Sequence, residues 1–141
     1  MYLIPDDLYT HIYPEIKNII VRNDQTITQK AIDAAVSEVR SYLNRYDLNA
    51  IFGTETDEPT FHDPYLDSIV KDVAVWNILK LANPNIDMAV FRSAYQDAIA
   101  YLTNIQKGLV EPAYPPAPEI DGFNPSNTIF WDSNPRRHNH Y

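Results

Sequence analysis

The sequence predicts an all-α protein: a four- to five-helix bundle followed by an extended, Pro-rich C-terminal tail, with one short strand near residues 128–131. Two observations carry this. Apolar residues recur at three- and four-residue spacing through most of the first hundred positions, the period of a helix with one buried face. The breakers are segregated: six of the eleven prolines and two of the three glycines lie at or beyond Gly108. The division therefore falls into a helical domain over 1–111 and a tail over 112–141.

The helix starts are readable one by one. Pro5 followed by Asp6, Asp7 and Leu8 is a start signal, because proline suits the first helical position and acids suit the positive end of the dipole. Pro14 and Glu15 restart a helix with Ile16, Ile19 and Ile20 on one side. Thr26 and Gln29 have capping-box spacing, which predicts a helix running to about Tyr46. Ile32, Ala35, Val36, Val39, Tyr42, Leu43 and Tyr46 form its inward face. Residues 47–62, with Gly53, the acids Glu55, Asp57 and Glu58, and Pro59, read as a mobile loop.

Asp63 and Pro64 open the next helix as cap and first turn, to about Ala82. Its second half, Val73 to Ala82, is apolar almost all round, which places it in the middle of the bundle. Asn83, Pro84 and Asn85 break the chain. Asp87 is the expected cap of a helix from Met88 to Lys107, with Met88, Phe91, Tyr95, Ala98, Ile99, Leu102 and Ile105 facing inward. Gly108 after Lys107 is a stop signal.

Nineteen acids stand against eleven bases, a formal charge of −8, and the chain has no cysteine. That balance argues against generic DNA binding, where phosphate contacts dominate affinity. Lack of cysteine removes disulfides, thiol catalysis and thiolate metal sites. No stretch has the roughly 20 apolar residues of a membrane span, and the first residues do not read as a signal peptide.

Few constellations point to chemistry. His138 and His140, with Asp132 or His62, have too few ligands for a convincing metal site, so none is expected. The acids around Glu55, Asp57, Glu58, Asp63 and Asp67 read as a solvated cluster. No serine has a glycine elbow or an evident histidine partner, and no glycine loop cradles phosphate. No catalytic residue and no cofactor is expected. Trp76, Tyr42, Tyr46, Tyr95 and Tyr101 read as core, with a ligand pocket at Trp76 as the competing reading. The tail supplies the candidate partner-binding residues: Phe130, Trp131, Arg136, Arg137 and Tyr141 are types enriched at protein interfaces.

The order of these segments resembles a known group. Met1 to Leu8, Ile27 to Tyr46, Leu66 to Leu79 and Phe91 to Gly108 are similar in sequence and order to the helices of the Mu-like prophage head-tail connector, or adaptor, proteins. The packing style of Ser41-Tyr42-Leu43 and Ala100-Tyr101-Leu102 is part of the likeness, which covers about residues 1–112. The resemblance implies a non-catalytic, α-helical subunit of a ring between capsid portal and tail. It further implies self-association, portal or tail proteins as partners, a place in the virion and assembly in the bacterial host cytoplasm. DNA would pass such a ring without specific binding. The acidic loop and the extension from Pro112 depart from the family's pattern. The alternative is a small cytoplasmic ligand- or protein-binding helical module.

Overall fold

The computed structural model describes residues 1–118 apart from Asn23 and residues 82–86. A 3-10 turn, Pro5–Thr10, precedes five α-helices: α1 Pro14–Val21, α2 Gln25–Tyr42, α3 Leu48–Phe52, α4 Pro64–Leu79 and α5 Ala89–Gln106. No strand occurs among the described residues; the one β-type contact is an isolated antiparallel bridge between Tyr46 and Pro116. The all-α reading holds, while the strand expected near residues 128–131 lies outside the described residues.

α4 is the central element. Leu66, Ile69, Val70, Val73, Ala74, Val75, Ile78 and Leu79 are all buried, more than one face of a helix can supply. It packs most extensively on α2 and next on α5. α2 contributes Ile32, Ala35 and Val39, and α5 contributes Ala98, Leu102 and Ile105, each set at helical spacing. Leu8 of the 3-10 turn, Val21 of α1 and Ile51 of α3 close the remaining sides of the core.

Several boundaries differ from expectation for local reasons. Asp24, not Thr26, caps α2: its carboxylate accepts from the Thr26 N–H at 2.9 Å, so the helix starts at Gln25. α2 ends at Tyr42, and Tyr46 instead pairs with Pro116. Residues 48–52, expected as loop, form α3 because Asp47 accepts from the Ala50 N–H at 3.1 Å. The rest of that loop is tied back: Thr60 and Phe61 both donate backbone bonds to the Ala50 carbonyl, at 3.0 and 2.9 Å. α4 ends at Leu79. Asp87 does cap α5, from one residue further out, accepting from the Ala89 N–H at 3.0 Å. Gly108, at φ +78°, follows α5 in the left-handed conformation that the stop signal implies.

Candidate functional site

The segment after Gly108 does not leave the body at once. Leu109 is 73% exposed, but Tyr114 is only 8% exposed. Tyr114 stands edge-on to Tyr46, with ring centroids 5.4 Å apart, and to Phe61 at 5.6 Å. Its hydroxyl donates to Asp63 Oδ2 at 3.0 Å. Two backbone bonds follow it along the chain: Asp47 N–H to the Pro115 carbonyl at 2.8 Å and Ala117 N–H to the Arg45 carbonyl at 3.1 Å. The prolines accept and do not donate, which suits a segment held along one edge. Packing thus continues past the boundary drawn at residue 111, and the first part of the tail is an anchored arm.

The anchor is built on the start of α4. Asp63 caps that helix, accepting from the Tyr65 N–H at 3.4 Å and the Leu66 N–H at 3.3 Å, and uses the same carboxylate to hold Tyr114. Tyr101 of α5 meets Tyr65 edge-on, with ring centroids 5.0 Å apart. One turn along α4, Asp67 accepts from the Tyr2 hydroxyl and pairs with His62 Nε2 at 3.1 Å. Burial first, then the neighbouring carboxylate, push the Tyr114 and Tyr2 phenols far above their ordinary range. Both therefore stay protonated donors at any ordinary pH. The cluster is arranged to hold segments together: it fastens the N-terminal segment, the loop before α4 and the arm to one helix end.

A second polar cluster joins the 3-10 turn to α4. His11 Nδ1 contacts Thr10 Oγ1 at 2.7 Å, while His11 Nε2 contacts Ser68 Oγ at 3.0 Å and Asp72 Oδ1 at 3.5 Å. Ser68 thus has a histidine partner that the sequence did not reveal. A serine nucleophile assembly places the acid on the nitrogen opposite the serine, where it fixes the tautomer. Here serine and acid share one nitrogen, so the arrangement cross-links two elements. Burial lowers the His11 pKa against the opposing pull of Asp72, and burial raises that of Asp72.

Of the residues chosen from sequence, Phe130, Trp131, Arg136, Arg137 and Tyr141 lie outside the described residues, as do Asp132, His138 and His140. His62 is brought to Asp67. Among the described residues, no group of three or more His, Cys, Asp or Glu side chains is placed to hold a metal ion. Trp76 is half-buried, stacked on Tyr95 with ring centroids 5.7 Å apart, and the Arg92 guanidinium carbon lies 5.7 Å from the Trp76 ring centroid. Tyr95 donates to Glu38 Oε1 at 2.9 Å, and burial with that contact pushes its pKa up to about 12. The missed residue is Tyr114; Asp63, expected as a helix cap and as one of a solvated cluster, is half-buried and is its partner. The one available signal was Tyr114 itself, a lone aromatic among the prolines of 112–118.

No protein-family model, curated protein or solved structure matches this chain. No helix among the described residues is long and apolar enough to cross a membrane.

Proposed function

We propose that the chain is the structural subunit of a phage or prophage head-tail connector, assembling with copies of itself and with portal or tail proteins. The observation that carries this reading is the anchored arm. The Tyr114–Asp63 hydrogen bond and the Tyr46–Pro116 bridge hold residues 114–116 against the body. The sequence beyond Pro118 holds Phe130, Trp131, Arg136 and Arg137, residue types enriched at protein interfaces. A ring needs two different patches per subunit, one matching the neighbour's other patch. A body with an arm of fixed origin and an interface-type composition beyond it meets that need. The resemblance of the helix order to the connector family supports the same reading, as does the acidic balance, which would let DNA pass without sticking.

The test is solution mass of the full chain and of a chain ending at Pro118, each alone and with a portal or tail partner. The full chain is expected to assemble. The shortened chain, which keeps Tyr114 and its anchor, is expected to stay folded and monomeric. Equal assembly by both would remove the tail from the account.

A small ligand-binding module is the second reading, favoured by one observation: an aromatic cleft of about 260 Å³ lined by Tyr9, Tyr13 and Phe91.

A further inference from the structure

A groove of about 410 Å³ lies between the first half of α2 and the end of α4. Ile27, Ala31 and Ala34 line it from α2, Leu81 lines it from just past α4, and Lys30 and Lys80 add one ammonium from each side. Asn77 of α4 donates to the Ala31 carbonyl at 3.4 Å, which ties the two helices together at the groove. Leu81 is 63% exposed, and both lysines are exposed. In a chain of formal charge −8, this lining holds two cations and no acid. Neither lysine joins an ion pair among the described residues. An apolar lining between two cations suits an occupant that carries an apolar side chain between two acids.

The chain itself carries such a run past Pro118: Glu119, Ile120, Asp121, Gly122 and Phe123. From Asn124 onward there is one acidic side chain, Asp132, against Arg136 and Arg137, so the rest of the sequence matches the groove less well.

The groove of the same molecule is out of reach for Ile120, because the arm is held at the opposite end of both helices. Tyr114 bonds to Asp63, the cap at the start of α4, and Ala117 donates to the Arg45 carbonyl, past the end of α2. From Tyr42, where α2 ends, back to Ala31 is about 16 Å, and from Asp63 to Asn77 about 21 Å, at roughly 1.5 Å per residue. The three residues from Ala117 to Ile120 span at most about 11 Å. An Ile120 in this groove therefore comes from a second copy.

We propose that residues 119–123 of one copy dock in the α2–α4 groove of another, with Ile120 on the apolar lining and Glu119 and Asp121 facing Lys30 and Lys80. Exposed ion pairs add little affinity, so Ile120 carries the binding and the charges set the choice of partner. Groove and segment are two different patches of one chain, the heterologous contact that closes a ring or extends a filament. This inference rests on the self-association in the connector reading and names the surface that carries it.

The experiment uses the full chain and two charge-reversed forms of it. One carries Lys30→Glu with Lys80→Glu, and the other carries Glu119→Lys with Asp121→Lys. All four positions lie away from the core, or past Pro118. Each form alone sets like charge against like and is expected to stay monomeric by light scattering. Mixing the two restores opposite charges in every pairing and is expected to restore assembly. A synthetic peptide of residues 117–124, added to the full chain, is expected to shift the Ala31, Ala34 and Asn77 amides, and Ile120→Asp in the peptide should weaken it at least tenfold. Assembly of each reversed form alone, a mixture that stays monomeric, or a peptide that leaves those amides unmoved overturns the proposal. Wild-type assembly with unmoved groove amides would sink this inference and leave the connector reading standing. Peptide binding to a wild-type chain that stays monomeric, alone and with a portal or tail partner, would sink the connector reading and leave the groove's recognition of the segment standing.

Discussion

Tyr114 and Leu66 donate to the same oxygen, Asp63 Oδ2, at 3.0 and 3.3 Å. One carboxylate therefore both starts α4 and fastens the arm, so the C-terminal segment and the central helix are energetically coupled. Tyr114→Phe keeps the ring between Tyr46 and Phe61 but removes the hydrogen bond. A hydrogen bond to a carboxylate at a part-buried site contributes about 1–2 kcal/mol, and denaturant unfolding should show a loss of that size. Trypsin should also cut faster after Lys107, next to the point where the arm begins. Asp63→Ala should cost more, because a helix cap of about 1 kcal/mol is lost as well. The double variant should fall short of the sum. Additive losses would mean that cap and anchor are independent.

Gly53 and Gly108 share φ +78°, yet their surroundings differ. At Gly53, with ψ −176°, the backbone is in a region open essentially to glycine alone. A Cβ there would lie 2.6 Å from the Asp57 carbonyl oxygen and 3.0 Å from Pro59 Cδ. At Gly108 the nearest atom is Arg45 Nη1 at 3.4 Å, the end of a flexible side chain. Gly53→Ala should therefore destabilise by at least about 2 kcal/mol. Gly108→Ala should cost about 1 kcal/mol, the left-handed penalty alone. Thermal unfolding of the two variants side by side checks the order, and a reversed order would contradict it.

The two positions show how far one sequence reaches. Gly108 was legible because helix stops are local: glycine follows a helix that ends in lysine. The Asp63–Pro64 start was legible for the same reason. Asp24 was missed because Thr26 and Gln29 matched a capping pattern two residues later, and both choices obey the same local chemistry. α3 is only five residues long, too short for a period to register. The anchor was illegible because Tyr114 and Asp63 lie 51 residues apart, and nothing local announces which carboxylate a tyrosine will find. His11 and Ser68, 57 apart, escaped for that reason too.

The His11 cluster makes stability depend on pH. Burial lowers the His11 pKa in the fold, ahead of the opposing Asp72 charge and alongside Lys71. The unfolded chain then takes up this proton first, so the contribution is fully present above the ordinary histidine value of about 6.5. It is lost as pH falls below that value toward the folded pKa. Asp72, raised by burial, works in a lower window: stability declines as pH rises from the ordinary aspartate value toward its folded pKa. The melting temperature should therefore drop between pH 7.5 and pH 5.5. His11→Gln, which keeps a polar side chain beside Ser68, should flatten that drop. An unchanged pH profile in this variant would assign the dependence elsewhere.

Thr28 is the described residue whose buried side-chain hydroxyl finds no hydrogen-bond partner, on a helix position with 0% exposure. Its methyl group packs usefully, but its hydroxyl is desolvated without compensation. Replacing an unsatisfied hydroxyl by a methyl of the same shape removes that desolvation penalty, on the order of 1 kcal/mol or somewhat more. Helix preference opposes this little, since threonine and valine are close on that scale. Thr28→Val should therefore raise stability by about 1 kcal/mol. Thr28→Ser keeps the unpaired hydroxyl and deletes the packed methyl, so it should lower stability by a similar amount. Urea unfolding of the pair reads both signs at once. A destabilised valine variant would mean that the hydroxyl is satisfied in solution, by bound water or by a backbone carbonyl of α2.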